Sequence, residues 1–224
     1  MIAPADIPRF IRENAVLEAP AMAPELRLHL ATEITPIWRA TEAALEAMGV
    51  PPPYWAFCWP GGQAIARHLL DHADLVRDRT VLDFAAGSGI GALAAMRAGA
   101  ARAIANDIDA FALAAIRLNA EANGAVLTVD GTDLLDRRDL PPDIDVVLAG
   151  DVCYERALAE RVFAWLGGQA AAGRLVLLGD PGRAYLPSTG LEEIARYDIP
   201  TSLQLENHGM KETVVWRVLP GAAR

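Results

Sequence analysis

The sequence predicts a doubly wound α/β sheet of about seven strands, closed by an antiparallel hairpin and preceded by a helical extension. Three observations lead there. Short apolar runs at residues 81–86, 103–106, 126–129, 144–149 and 175–179 alternate with helix-like segments, and repeated strand–helix units make a parallel sheet covered on both faces. A glycine cluster directly follows the first of these runs and opens the next helix. The last two runs, 201–206 and 213–219, are linked through His208-Gly209, a connection so short that the two strands must be antiparallel.

Residues 1–53 form the extension. Thr35 supplies an N-cap and Pro36 the first helical position. Trp38, Thr41, Leu45 and Met48 then recur near helical spacing until Gly49 ends the helix. Pro51-Pro52-Pro53 is a stiff connector to the second unit, residues 54–224. That unit opens with a helix over 63–75 whose Ile65, Leu69 and Leu70 share one face. Residues 81–86 read as a buried strand, 90–98 as a small-residue helix stopped by Gly99, and 103–106 as the next strand. Asp109 caps a helix through Asn119 that ends near Asn123-Gly124. Strands at 126–129 and 144–149 precede a helix over 158–166, which leads into the strand at 175–179.

Composition narrows the class. Of 224 residues, 53% are hydrophobic and 22% charged, which excludes intrinsic disorder. A net charge of −9 and a pI near 4.9 argue against binding nucleic acid or an anionic membrane, because the field of the whole protein repels phosphate. Cys58 and Cys153 are too few and too far apart for a disulfide framework or a thiolate zinc site. His68 and His72 lie four residues apart without the glutamate of H-E-x-x-H, so they read as helix surface, and no metal is expected. The longest uncharged run, residues 47–66, contains four prolines and cannot cross a membrane as a helix. No signal-peptide core or transit-peptide composition is present, and cytoplasm is the expected location.

The sharpest chemical signal is Asp83-Phe84-Ala85-Ala86-Gly87-Ser88-Gly89-Ile90-Gly91. Gly87 and Gly89 allow a ligand close to the backbone, and the helix that follows offers free N–H groups. A nicotinamide dinucleotide would require G-x-G-x-x-G; here the third glycine comes one residue early. Asp83 would also repel a pyrophosphate, whereas a cationic ligand such as S-adenosylmethionine accepts it. The other reading is a tight glycine turn with no ligand. About 20 residues on, Asp107 ends the next strand, where an acid accepts hydrogen bonds from ribose hydroxyls, and Asp109 caps the helix. Asp133, after the third strand, either meets the adenine amino group or belongs to ordinary turn chemistry. These strand ends share one crevice in an open parallel sheet. At the fourth strand end, Asp151 and Tyr154 suit an amine substrate, unless Asp151 simply caps the following helix.

Asp83, Gly87, Gly89, Asp107 and the terminal hairpin together resemble the seven-stranded, Rossmann-like class I methyltransferases that use S-adenosylmethionine. Asp151-x-x-Tyr154 matches the D-x-x-Y pattern of the protein lysine methyltransferases among them. Tyr54-Trp55-Ala56 with Trp59-Pro60-Gly61-Gly62-Gln63, residues 105–109, and Gly179-Asp180-Pro181-Gly182-Arg183 are similar to one branch. That branch acts on the β subunit of electron transfer flavoprotein. The resemblance runs from about residue 50 to 219, and residues 1–50 lie outside it. It implies S-adenosylmethionine as cofactor, S-adenosylhomocysteine as product, and no metal. It further implies that Trp59, Asp83, Gly87, Gly89, Asp107 and Asp133 bind the cofactor while Asp151 and Tyr154 orient the amine. Trp59 and Tyr154 would line the substrate channel, the alternative being that Trp55 and Trp59 are core. Two departures are notable: the loop reads A-A-G-S-G, where many relatives have a polar residue or glycine at the first alanine, and the first 50 residues show no match, which leaves a substrate-docking role there open. The absence of a transit peptide suits a bacterial relative. Competing readings are a methyltransferase for another protein lysine or a small amine, and a non-catalytic cofactor-binding module.

Overall fold

The computed structural model describes residues 2–32, 35, 37, 49–137, 140–201 and 209–221. The chain begins with α1 (Ile7–Asn14) and a two-stranded antiparallel ribbon of β1 (Val16–Glu18) and β2 (Leu28–Leu30). The helix expected from Thr35 to Gly49 falls almost wholly outside the described residues. Next come α2 (Pro60–Asp71), β3 (Thr80–Phe84), α3 (Ile90–Arg97), β4 (Arg102–Asn106) and α4 (Ala110–Ala122). They are followed by β5 (Thr128–Asp130), β6 (Val146–Gly150), α5 (Arg156–Ala171), β7 (Leu175–Asp180), β8 (Leu191–Pro200) and β9 (Met210–Val218).

Seven strands form one sheet in the order β5-β4-β3-β6-β7-β9-β8. The first five run parallel, and β9 is inserted antiparallel between β7 and β8. Alternation along the central strands divides the core. Val81, Val146, Leu148 and Leu177 meet α2 and α3 on one face. Leu82, Phe84, Val147, Ala149, Val176 and Leu178 meet α5 on the other. Strand order reverses between β3 and β6, so their C-terminal ends open a crevice, the place where open α/β sheets bind ligands.

The doubly wound sheet and its antiparallel end agree with the sequence reading. The strand expected at 201–206 lies, apart from Thr201, outside the described residues. The arm that pairs with β9 is β8, Leu191–Pro200, which the sequence reading did not include. It is an edge strand in which only Ile199 is fully buried, so it carries no apolar run for sequence reading to detect. Its surface charges pair instead: Arg196 with Glu193 at 2.6 Å and with Glu212, and Glu192 with Arg217 at 3.4 Å. Helix α2 also starts three residues earlier than expected, because Pro60 occupies its first turn, where no N–H is needed.

The extension is packed onto α4. Ile7 and Ile11 of α1 join Phe111, Ala115 and Leu118 in one buried cluster, and Phe10 meets Phe111 edge-on at 5.7 Å. Asn123 completes the ribbon's hydrogen bonding: its Oδ1 accepts the Arg27 N–H at 2.9 Å and its Nδ2 donates to the Arg27 carbonyl at 2.6 Å. No helix among the described residues is long and apolar enough to cross a membrane.

Candidate active site

The glycine loop joins β3 to α3. Ala85, Gly87 and Gly89 all have positive φ (51°, 53° and 80°), the region that favours glycine, so the loop turns tightly and presents backbone rather than side chains. Asp83, 6% exposed, accepts the Ala92 N–H at 2.8 Å through Oδ2. The third glycine is explained by this carboxylate: a Cβ on Gly91 would lie 2.7 Å from Asp83 Oδ1. Burial raises the Asp83 pKa to about 7, against the pull of the Ala92 and Gly91 amides.

Asp107, just beyond β4, accepts the Gly87 N–H at 2.9 Å and the Asp109 N–H at 3.0 Å, bracing the loop from the neighbouring strand. Burial raises its pKa as well, with those amides opposing. Asp109 caps α4, accepting from Phe111 and Ala112. Asp133 accepts the Leu135 N–H at 3.0 Å and caps a single 3₁₀ turn, and it also lines the main cavity.

On the other side, the N-terminus of α2 touches the ends of β6 and β7 backbone to backbone. A Cβ on Gly61 would stand 2.2 Å from the Gly179 carbonyl oxygen, and one on Gly150 would stand 2.8 Å from the Gly62 nitrogen. This contact seats Asp151, which has a φ of 58°. Its Oδ2 accepts the Gly62 N–H at 3.1 Å and its Oδ1 accepts from Arg183 Nη2 at 3.0 Å. Burial lifts the Asp151 pKa to about 7 despite Arg183. Asp151 is not a helix cap: α5 starts at Arg156 after Glu155, with no side-chain cap. Of the two tryptophans, Trp55 is fully buried core, while Trp59 is half-buried and donates its indole N–H to the Tyr54 carbonyl at 2.9 Å.

Two compartments meet here. A small one of about 50 Å³ lies among Asp83, Gly87, Ser88, Gly91 and Asp151, and a large one of about 660 Å³ runs past Asp107, Asp133 and Tyr154 to the surface. Trp59, Gly87 and Asp151 line both. Asp83, Asp107 and Asp151 are all desolvated, and among the described residues Arg183 is the cation in an ion pair with any of them. Buried acids in excess of cations favour a positively charged ligand. Among the described residues, no group of three or more His, Cys, Asp or Glu is gathered to hold a metal.

Comparison with known proteins decides the family. The electron transfer flavoprotein beta subunit lysine methyltransferase of Xenopus laevis is 37% identical over 223 residues, covering 96% of this chain and 89% of that protein. The human protein of the same name is 36% identical over 222 residues, covering 96% and 83%. This chain belongs to the electron transfer flavoprotein β-subunit lysine methyltransferase family. It is therefore a methyltransferase enzyme. Residues 65–151, from α2 through the glycine loop to Asp151, also match the family described as ribosomal protein L11 methyltransferase (PrmA). The crystal structure of a ribosomal protein L11 methylase from Lactobacillus delbrueckii subsp. bulgaricus shares the fold. It aligns at a TM-score of 0.56 and 19% identity, over 90% of this chain and 99% of that one.

In this methyltransferase every residue singled out from sequence as a site residue (Trp59, Asp83, Gly87, Gly89, Asp107, Asp133, Asp151 and Tyr154) lies in the glycine loop or on a compartment wall. Sequence reasoning overlooked Tyr54 and Arg183. The Tyr54 ring lies 5.9 Å from Tyr154 and 6.1 Å from Trp59, forming an aromatic rim at the mouth. Arg183 sits in the quoted G-D-P-G-R motif, but nothing in its spacing from Asp151 announces that the two side chains meet.

Proposed function

We propose that this enzyme transfers the methyl group of S-adenosylmethionine to lysine ε-amino groups of the electron transfer flavoprotein β subunit. The observation that carries this reading is the junction of two compartments at Asp151, within a chain whose relatives bear that activity in their names. The small compartment, with Asp83 and the glycine-loop amides, suits the amino-acid end of the cofactor; Asp107 and Asp133 suit its adenosine. When bound, S-adenosylmethionine would supply an electrophilic methyl group, which the neutral amine would take from the sulfonium sulfur, leaving the electron pair there and passing its surplus proton to water.

The chain's own residues must deliver a neutral amine. A free lysine has a pKa near ~10.4, so removing its proton at pH 7 costs roughly 4–5 kcal/mol. Desolvation in the channel reduces that cost. Tyr154 and Trp59 surround the lysine stem, since alkylated ammonium sits well on aromatic faces, and Asp151 orients the nitrogen and stabilises the cation that develops on it. Tyr54 and Tyr154 remain 53% and 50% exposed, so the mouth is open to a side chain carried by a large partner and does not enclose a small amine.

Intact-mass measurement of unmodified electron transfer flavoprotein, incubated with the enzyme and S-adenosylmethionine, tests the proposal. Added methyl groups on the β subunit are expected, with loss of nearly all turnover in Asp151→Asn at unchanged S-adenosylhomocysteine affinity. Cofactor binding without modification of that subunit would discard the substrate. Retained turnover in Asp151→Asn would remove Asp151 from the mechanism.

A further inference from the structure

Asp151 does not face the cavity alone. Arg183 Nη2 donates to its Oδ1 at 3.0 Å while the Gly62 N–H holds Oδ2. The arginine is itself braced. Asp180, 1% exposed, accepts the N–H groups of Gly182 and Arg183 at 2.7 Å each, turning the chain at Gly182. The guanidinium carbon lies 5.6 Å from the centre of the Trp59 ring. We propose that Arg183 is a positioning residue for methyl transfer: it locks the Asp151 carboxylate toward the junction of the two compartments and, as a fixed cation beside the bound amine, disfavours the protonated form of that amine.

This role rests on the reading of Asp151 as the amine-orienting group. A bare buried carboxylate would hold the incoming lysine as an ammonium, whose nitrogen has no lone pair for attack. An adjacent guanidinium, which keeps its proton at any working pH, shares the carboxylate and repels a second positive charge. The nitrogen is then oriented through an N–H bond without being held protonated. Other groups facing Asp151 cannot substitute. Asp180, the last residue of β7, is a like charge. Cys58, ahead of α2, and Cys153, after β6, are thiols whose pKa values burial raises, so they stay neutral. Tyr154 is also pushed up by burial, and α2 presents only its Gly62 amide.

The test compares the pH dependence of kcat for the unaltered enzyme, Arg183→Lys, Arg183→Gln and Arg183→Met, with calorimetric S-adenosylhomocysteine binding as the control. Removing the charge in the Gln and Met variants should lower kcat roughly 10–100-fold and move the acid limb of the profile up by about one pH unit. KM and cofactor affinity should stay within about threefold of the unaltered enzyme. Arg183→Lys should restore the limb and most of kcat. A limb unmoved in Arg183→Gln, or a loss in Arg183→Lys equal to that in Arg183→Met, overturns the assignment. If Arg183→Met does not fold, Arg183→Gln decides, because it keeps a donor for Asp151 without the charge. An unaltered enzyme that binds cofactor but methylates nothing overturns the substrate reading and this one together; normal turnover with an unshifted limb overturns this one only.

Discussion

Asp83 shows how far burial alone can shift one carboxylate. It is nearly sealed from water and stabilised by α3 amides, yet burial still leaves its pKa at about 7, as it does for Asp151. Ordinary carboxylates in an unfolded chain titrate near ~4. The folded state therefore binds more protons than the unfolded state between about pH 4 and 7, and the unliganded enzyme loses stability as pH rises through that window. A cation in the site favours the ionised form, so affinity for S-adenosylhomocysteine, which carries an α-ammonium, should increase over the same range. The expected outcome in thermal melts is an unliganded Tm that falls from pH 5.5 to 8 and a ligand-induced rise that grows. Asp83→Asn keeps an oxygen for the Ala92 amide and removes the charge. It should weaken binding at pH 8 by about 1–3 kcal/mol and flatten the pH dependence in calorimetry. A dependence as steep as that of the unaltered enzyme would clear Asp83 of this role.

At the scale of elements, the contact between α2 and the ends of β6 and β7 unites W-P-G-G, G-D-x-x-Y and G-D-P-G-R, three stretches distant in sequence. Gly61, Gly150 and Gly179 are glycines because any side chain there would enter a neighbouring backbone. Gly61→Ala should therefore destabilise by about 1–3 kcal/mol or more and, by displacing Asp151, abolish turnover. Gly168, exposed within α5, has nothing within 4 Å of its Cβ position, and Gly168→Ala should stabilise by roughly 0.5–1 kcal/mol with normal activity. Urea unfolding of both variants measures the contrast; equal stabilities would mean that the close approach of α2 is not a constraint. The same contact marks the boundary of what was legible in the sequence. Buried strands and glycine-opened helices announce themselves through apolar runs and turn residues, so β3, α3, β4, α4 and the acids at their ends could be read directly. Strand β8 could not, because its edge position leaves it solvated and paired by charge. The Arg183–Asp151 pair was hidden for a different reason: it exists only after two loops, set by neighbouring strands β6 and β7, are folded side by side.

At the scale of the whole molecule, α4 couples the N-terminal extension to the glycine loop. On one side Asn119 Nδ2 donates to the Ser88 carbonyl at 2.9 Å, and Ile116 packs where a Gly89 side chain would stand. On the other, Asn119 Oδ1 accepts the His29 N–H of β2 at 2.8 Å, and α1 covers Phe111. One fully buried amide thus serves both the glycine loop and the ribbon. Asn119→Ala would leave the Ser88 carbonyl and the His29 N–H without these bonds, each at a cost of about 1–3 kcal/mol. It should lower stability and weaken S-adenosylhomocysteine binding together. The converse effect should appear in the unaltered enzyme. A ligand that fixes the glycine loop raises the free energy of opening for everything that opens with it, so binding should slow amide exchange in residues 28–30 as well as 86–91. Hydrogen-exchange mass spectrometry separates the outcomes. Protection reaching the ribbon, and lost in Asn119→Ala, makes the extension part of the cofactor site's cooperative unit. Protection confined to the glycine loop would mean that the extension is merely docked on α4, and that its contribution to the enzyme must be sought in the protein substrate.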